Sequence, residues 1–129
     1  MKPEDVLSAD LKIALDRLKS RGIFKGMYFH VPNEFEATKN FFAAWAKKEA
    51  IGCVSGAPDW VIVWPCGFLF VELKAAKTMK AALNSMREGQ RDFAKECDAL
   101  GVPYEVCISV EQVINSLKLR GAFGVVDLE

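Results

Sequence analysis

Two apolar runs split by a three-residue breaker constrain this chain more than anything else in it. Residues 60–64 read Trp-Val-Ile-Val-Trp and residues 68–73 read Phe-Leu-Phe-Val-Glu-Leu, with Pro65-Cys66-Gly67 between them. β-Branched and aromatic residues favour strands, and Pro and Gly punctuate turns. The segment is therefore predicted to be a β-hairpin. In an antiparallel pair, opposed residues are fixed by the centre of the turn. A turn centred between Pro65 and Cys66 sets Asp59 against Glu72, and one centred a residue later sets Asp59 against Lys74. Either way Asp59 meets the 72–74 segment at the open end. Side chains alternate along a strand, so Glu72 and Lys74 share one face and Leu73 points to the other.

The rest of the chain supplies layers for that hairpin. Residues 4–20 place Val6, Leu7, Leu11, Ile13, Ala14, Leu15 and Leu18 at helical spacing, ended by Arg21-Gly22. Residues 27–31 read as a short strand broken by Pro32-Asn33, and residues 35–50 as a second helix closed by Gly52. Beyond the hairpin, residues 79–100 read as one long helix stopped by Gly101, with Phe93, Ala94, Cys97 and Leu100 on its apolar face. A strand at 104–108 and a helix at 110–119, capped by Ser109, follow, and residues 120–129 are expected to form an extended arm or to fray. This order predicts one α/β domain over residues 1–129, with a mixed central sheet flanked by helices.

The chemistry concentrates at the hairpin's open end. Two carboxylates facing each other across a strand pair repel. A protonated carboxyl, the Lys74 ammonium or a bridging divalent cation would relieve the cost. Mg²⁺ takes oxygen ligands, commonly one or two carboxylates with waters and substrate phosphates. The Leu73 carbonyl offers one more oxygen. A charged pair flanking an apolar strand is common on ordinary protein surfaces, so Glu-Leu-Lys alone is weak evidence.

The wider pattern is more specific. Gly56-Ala57-Pro58-Asp59, the hairpin, and Glu72-Leu73-Lys74 resemble the PD-(D/E)XK nuclease signature. The ordered set is similar to the VRR-NUC branch of that superfamily, the small stand-alone phage and bacterial nucleases. Gln90-x-x-Phe93, then Leu100-Gly101 and the 104–108 strand, extends the similarity downstream, and Phe29 to Glu34 extends it upstream. The resemblance covers about residues 5–119. It implies a restriction-endonuclease-like fold, with Mg²⁺ or Mn²⁺ held by Asp59, Glu72 and the Leu73 carbonyl. It further implies that Lys74 activates the water and that Gln90 backs the site. The stretch from Lys74 to Gln90 is longer than in the family. The first helix should add an acidic residue, for which Glu4, Asp5 and Asp10 all qualify; Asp10 is carried forward.

Other residues have a substrate-binding and a structural reading side by side. His30 and Asn33 stand at a strand end near the expected site, and Ser55 precedes the Gly-Ala-Pro-Asp segment. Lys77 and Lys80 are equally a solvated helix start or phosphate contacts. Phe35, Phe41, Phe42 and Trp45 read as core or a dimer face before a base-stacking platform. The formal net charge is zero, which argues against a strongly basic nucleic-acid domain; Lys74, Lys77, Lys80, Arg87 and Arg91 still form a local basic run. Four cysteines without a Cys-x-x-Cys pair, and a single histidine, argue against a zinc site.

The expectation is a cytoplasmic, membrane-free DNA endonuclease. It would be selective for branched DNA such as four-way Holliday junctions and would act as a homodimer. A helicase or a replication or repair protein would be its partner. The alternatives are a catalytically silent nucleic-acid-binding module and a metal-free structural protein in which Lys74 neutralises the carboxylates.

Overall fold

A computed structural model describes residues 1–32, 47, 50, 52 and 54–124. Asn33, Glu34, Cys53 and all of the helix expected over 35–50 except Lys47 and Ala50 lie outside these described residues. Helix α1 (Pro3–Ser20) leads into strand β1 (Met27–His30). The hairpin strands are β2 (Trp60–Trp64) and β3 (Gly67–Leu73). Helices α2 (Met79–Asn84) and α3 (Glu88–Leu100), strand β4 (Tyr104–Cys107) and helix α4 (Val110–Leu119) complete the described chain. The sheet runs β1-β2-β3-β4: the first three strands are antiparallel, and β4 lies parallel to β3. The described residues are thus mixed α/β, a four-stranded mixed sheet flanked by helices.

The hairpin register is the first of the two alternatives. Trp60 pairs with Val71 and Trp64 with Gly67, so Pro65-Cys66 is the turn. Proline fixes its own φ, and the left-handed conformation falls on Cys66 at φ 70. Gly67 is needed beside it, because a Cβ there would stand 2.5 Å from the Trp64 indole nitrogen.

One face of the sheet is dry. Trp60, Ile62, Leu69, Val71, Leu73 and Cys107 are buried against Leu11 and Leu15 of α1 and Val113 and Leu117 of α4. Ser109 caps α4 as expected, its hydroxyl accepting from the Gln112 amide at 3.1 Å. Of the C-terminal stretch expected to be extended or frayed, the structure describes residues as far as 124, and past Arg120 these turn back. The Ala122 amide donates to the Leu117 carbonyl, Ala122 is buried, and Phe123 packs on the core. Ala122 and Phe123 offer apolar surface that an extended arm would leave in water.

The long helix over 79–100 is a correction. The chain breaks at Ser85–Arg87, with Arg87 extended at ψ 162. Asn84 and Ser85 are poor helix formers, and Gln90 rewards the break by accepting from the Arg87 amide at 2.9 Å, half of a capping box. Leu100, expected on the buried face, is 71% exposed. The described cysteines are free, Cys97 and Cys107 buried and Cys66 exposed. No helix among the described residues is long and apolar enough to cross a membrane.

Candidate active site

The other face of β3 turns polar at its end. Strand alternation sends Leu73 into the core and leaves Glu72 and Lys74 on the side of α3. Both are buried, at 2% and 6% exposure, which is rare for charged residues unless they are partnered. Gln90, in the first turn of α3, is the partner of both. Its Nε2 donates to Glu72 Oε1 at 2.8 Å, and its Oε1 accepts from Lys74 Nζ at 3.0 Å. Lys74 Nζ stands 4.0 Å from the same Glu72 oxygen. The Lys74 amide continues the parallel ladder by donating to the Cys107 carbonyl at 3.0 Å. The extra length between Lys74 and Gln90 is taken up by α2, so Gln90 still reaches the strand end.

Asp59 comes from the segment just before β2. Its carbonyl accepts from the Val31 amide, extending the β1–β2 ladder, and its Oδ2 accepts from the Leu73 amide at 2.8 Å. Two glycines set how closely this segment approaches α3. A Cβ on Gly56, which has φ 76, would fall 2.1 Å from the Gly89 carbonyl oxygen, and one on Gly89 would fall 2.4 Å from Ser55 Oγ. The Asp59 loop therefore lies directly on the helix start that carries Gln90.

The electrostatics are strained in one direction. Burial pushes the Glu72 carboxyl up to about 8, reinforced by the charge of Asp59 and opposed by Lys74. Asp59 is also raised, first by burial; the Leu73 amide and the nearby His30 and Lys74 oppose this. Glu72 Oε2 is buried, and while Glu72 is ionised it has no hydrogen-bond partner among the described residues; protonated, Glu72 can hydrogen-bond to Asp59. An unsatisfied buried acceptor costs roughly 1–3 kcal/mol, more if charged. It lines, with Asp59, Leu73, Gln90, Arg87 and His30, a cavity of about 80 Å³ closed on the α1 side by Glu4, Asp5 and Ser8.

These features fit a hard divalent cation. The donors are oxygens, an orphaned carboxylate oxygen faces them, and two raised carboxyls would both be relieved by positive charge. Among the described residues, no three His, Cys, Asp or Glu side chains are gathered tightly enough to hold a metal alone. Asp59 and Glu72 are the two carboxylates that the strand ends bring to this cavity.

The remaining sequence candidates divide. His30 is at the cavity, its ring 5.8 Å from that of Trp60. Asp10 is exposed and does not line the cavity; Glu4 and Asp5 do. The sequence held a partial signal, which favours Glu4 but does not separate Asp5 from Asp10. The buried stripe Leu15–Leu11, continued backwards at helical spacing, passes through Ser8 and Glu4, whereas Asp10 is a third of a turn away. Ser8 anchors that end of α1 by accepting from Trp60 Nε1 at 2.8 Å. Lys77 and Lys80 are exposed and away from the cavity, and Ser55 lines a separate hollow beside Gly89. Arg87, singled out before only as part of a basic run, stands at the cavity wall. Comparison with protein-family models, curated proteins and solved structures finds no match to this chain.

Proposed function

We propose that this chain is a divalent-metal-dependent nuclease hydrolysing phosphodiester bonds in DNA. In this reading the sheet and helices are a restriction-endonuclease-like fold, and the chain is a relative of the VRR-NUC nucleases that its motifs resemble. One observation carries it: Glu72 is almost fully buried, has one oxygen orphaned while ionised, and sits in one hydrogen-bonded network with Lys74 and Gln90 beside Asp59. A structural carboxylate would be satisfied or solvated. One left half-satisfied at the wall of a cavity is suited to a ligand.

Asp59, Glu72 and the Leu73 carbonyl would hold Mg²⁺ or Mn²⁺. When bound, such a cation supplies positive charge that acidifies water and polarises a phosphate oxygen. Gln90 fixes the Glu72 carboxylate and the Lys74 ammonium relative to each other. Lys74 then holds a water by hydrogen bonding and offsets negative charge growing on the phosphate. Branched or otherwise structured DNA is the proposed substrate, with a homodimer presenting two sites, because one small domain has little surface for a junction.

The test is a cleavage panel of linear, flapped and four-way DNA with Mg²⁺ and with Mn²⁺. Cleavage should require the metal and disappear in Asp59→Ala; equal activity in that variant refutes the site. The silent binding module remains the second reading, favoured by a Glu72 that is largely neutral near pH 7 without a cation. Absence of Mn²⁺ binding by calorimetry, with DNA binding retained, selects it.

A further inference from the structure

A cavity of about 80 Å³ has room for a cation and a few waters, each of roughly 30 Å³. It has no room for a sugar or a base. The rest of any nucleotide must therefore lie on an adjoining surface. One adjoins directly: a groove of about 390 Å³ between α1 and the edge strand β1. The two hollows share Asp5, Ser8 and His30. A groove of this size falls in the range of small-molecule sites, roughly 300–1,000 Å³.

Taking the nuclease reading as its basis, we propose that this groove holds an unpaired nucleobase adjoining the phosphate at the Asp59–Glu72 site. Its floor is aromatic. The exposed His30 ring stands 5.8 Å from the buried Trp60 ring, and the half-buried Tyr28 ring lies 6.3 Å from Trp60 on its other side, so aromatic groups back the groove with His30 as the ring open to a ligand. A base presents a π-face to such a ring whatever its identity. The rim offers donors and acceptors for the base edge. Asp5 carries acceptors, and Ser8, whose oxygen already accepts from Trp60, keeps its own hydroxyl proton to donate.

Charge argues for a base and against backbone phosphate in this groove. Asp5 stands at the shared end with Glu4 on the cavity side of it, and among the described residues the cations near the groove are engaged, Lys12 with Asp16 at 2.7 Å and Lys19 over the Tyr28 ring at 5.6 Å. A phosphodiester there would meet uncompensated carboxylates, whereas a neutral base meets rings and polar edges. A base stacked inside a duplex has no access to a groove between a helix and a strand. The substrate must expose a nucleotide at the cleavage position, as flaps, junction branch points and single strands do.

The test separates base from backbone without requiring cleavage. Binding of labelled octathymidylate is compared with an octamer of abasic tetrahydrofuran phosphates, in Ca²⁺, by fluorescence anisotropy. The thymidine octamer should bind about tenfold more tightly, the scale of one stacked base. Ala9→Trp, on the exposed groove side of α1, should fill the groove and reduce the ratio to within about twofold. Equal binding of the two octamers, no binding of either, or an unchanged ratio in Ala9→Trp overturns the proposal. A preserved base preference in a protein that cleaves no DNA with Mn²⁺ would instead remove the nuclease reading and leave the groove assignment standing.

Discussion

The two faces of β3 obey opposite rules. On one, Leu69, Val71 and Leu73 are sealed between α1 and α4, and each buried group gains from leaving water. On the other, the strand passes through Phe70 to Glu72 and on to Lys74, and the last two are just as deeply buried without that gain. The dry face holds the sheet together. The polar face is maintained by it, because Glu72 and Lys74 are fixed through a backbone whose alternate side chains are locked in the core. Stability and chemistry are thus carried by neighbouring residues on one strand. Substitutions one position apart should have effects of different kinds.

The largest contrast is expected for Glu72→Gln. Gln keeps an oxygen for the Gln90 amide and removes the charge, so DNA cleavage should fall by about a thousandfold or more, the scale of losing an essential electrostatic group. The metal-free melting temperature should hold or rise. A fall of many degrees with proportionate activity loss would mean that Glu72 is structural.

Leu69→Ala should do the reverse. It should cost about 2–5 kcal/mol in denaturant unfolding, as for other buried leucines, while the folded fraction keeps its metal dependence.

The pH response sharpens the same comparison. Glu72 is raised from 4.5 in the unfolded chain to about 8 in the fold, so the folded state holds the extra proton between those values. The stability that this proton contributes to the metal-free protein should therefore be fully present at the acid end of this window and be lost as pH rises towards 8. Chemical denaturation in EDTA from pH 5 to 8 measures the slope. Glu72→Gln should flatten it and added Mn²⁺ should reduce it; a slope surviving in the variant would place the buried proton elsewhere.

The smaller effects concern how the Asp59 loop rests on α3. Gly56→Ala needs both a left-handed φ and the space of the Gly89 carbonyl, so a loss of about 2 kcal/mol is expected, together with weaker metal binding. Gly89→Ala needs no left-handed φ and meets the Ser55 side chain, Oγ at 2.4 Å and Cβ at 3.3 Å, rather than backbone at clash distance, so it should cost less than Gly56→Ala. Thermal melts with and without Mn²⁺ would order the two, and the reverse order would break the account of the loop.

Much of this was legible before any coordinates. The strand pair and the meeting of Asp59 with the 72–74 segment followed from β-rich runs around Pro65-Cys66-Gly67, while the choice between the two registers did not. The break between α2 and α3 was not legible, because Asn84, Ser85 and Met86 carry no obligatory stop. The break is stabilised by Gln90 accepting from the Arg87 amide in space. Leu100 looked like core because periodicity counts apolar residues without knowing where the covering layer ends.

The sequence by itself determined the local order of strands and helices and the face on which Glu72 and Lys74 stand, because alternation and turn chemistry act within a few residues. Only the tertiary structure decided that α1 would close the cavity with Glu4 and Asp5 rather than Asp10. It likewise decided that Gln90 would link Lys74 to Glu72 across sixteen to eighteen positions, and that one oxygen of an ionised Glu72 would be buried without a partner. Those outcomes depend on how helices settle on the sheet, where packing of Leu11, Leu15 and the glycine contacts, rather than any local preference, sets the distances.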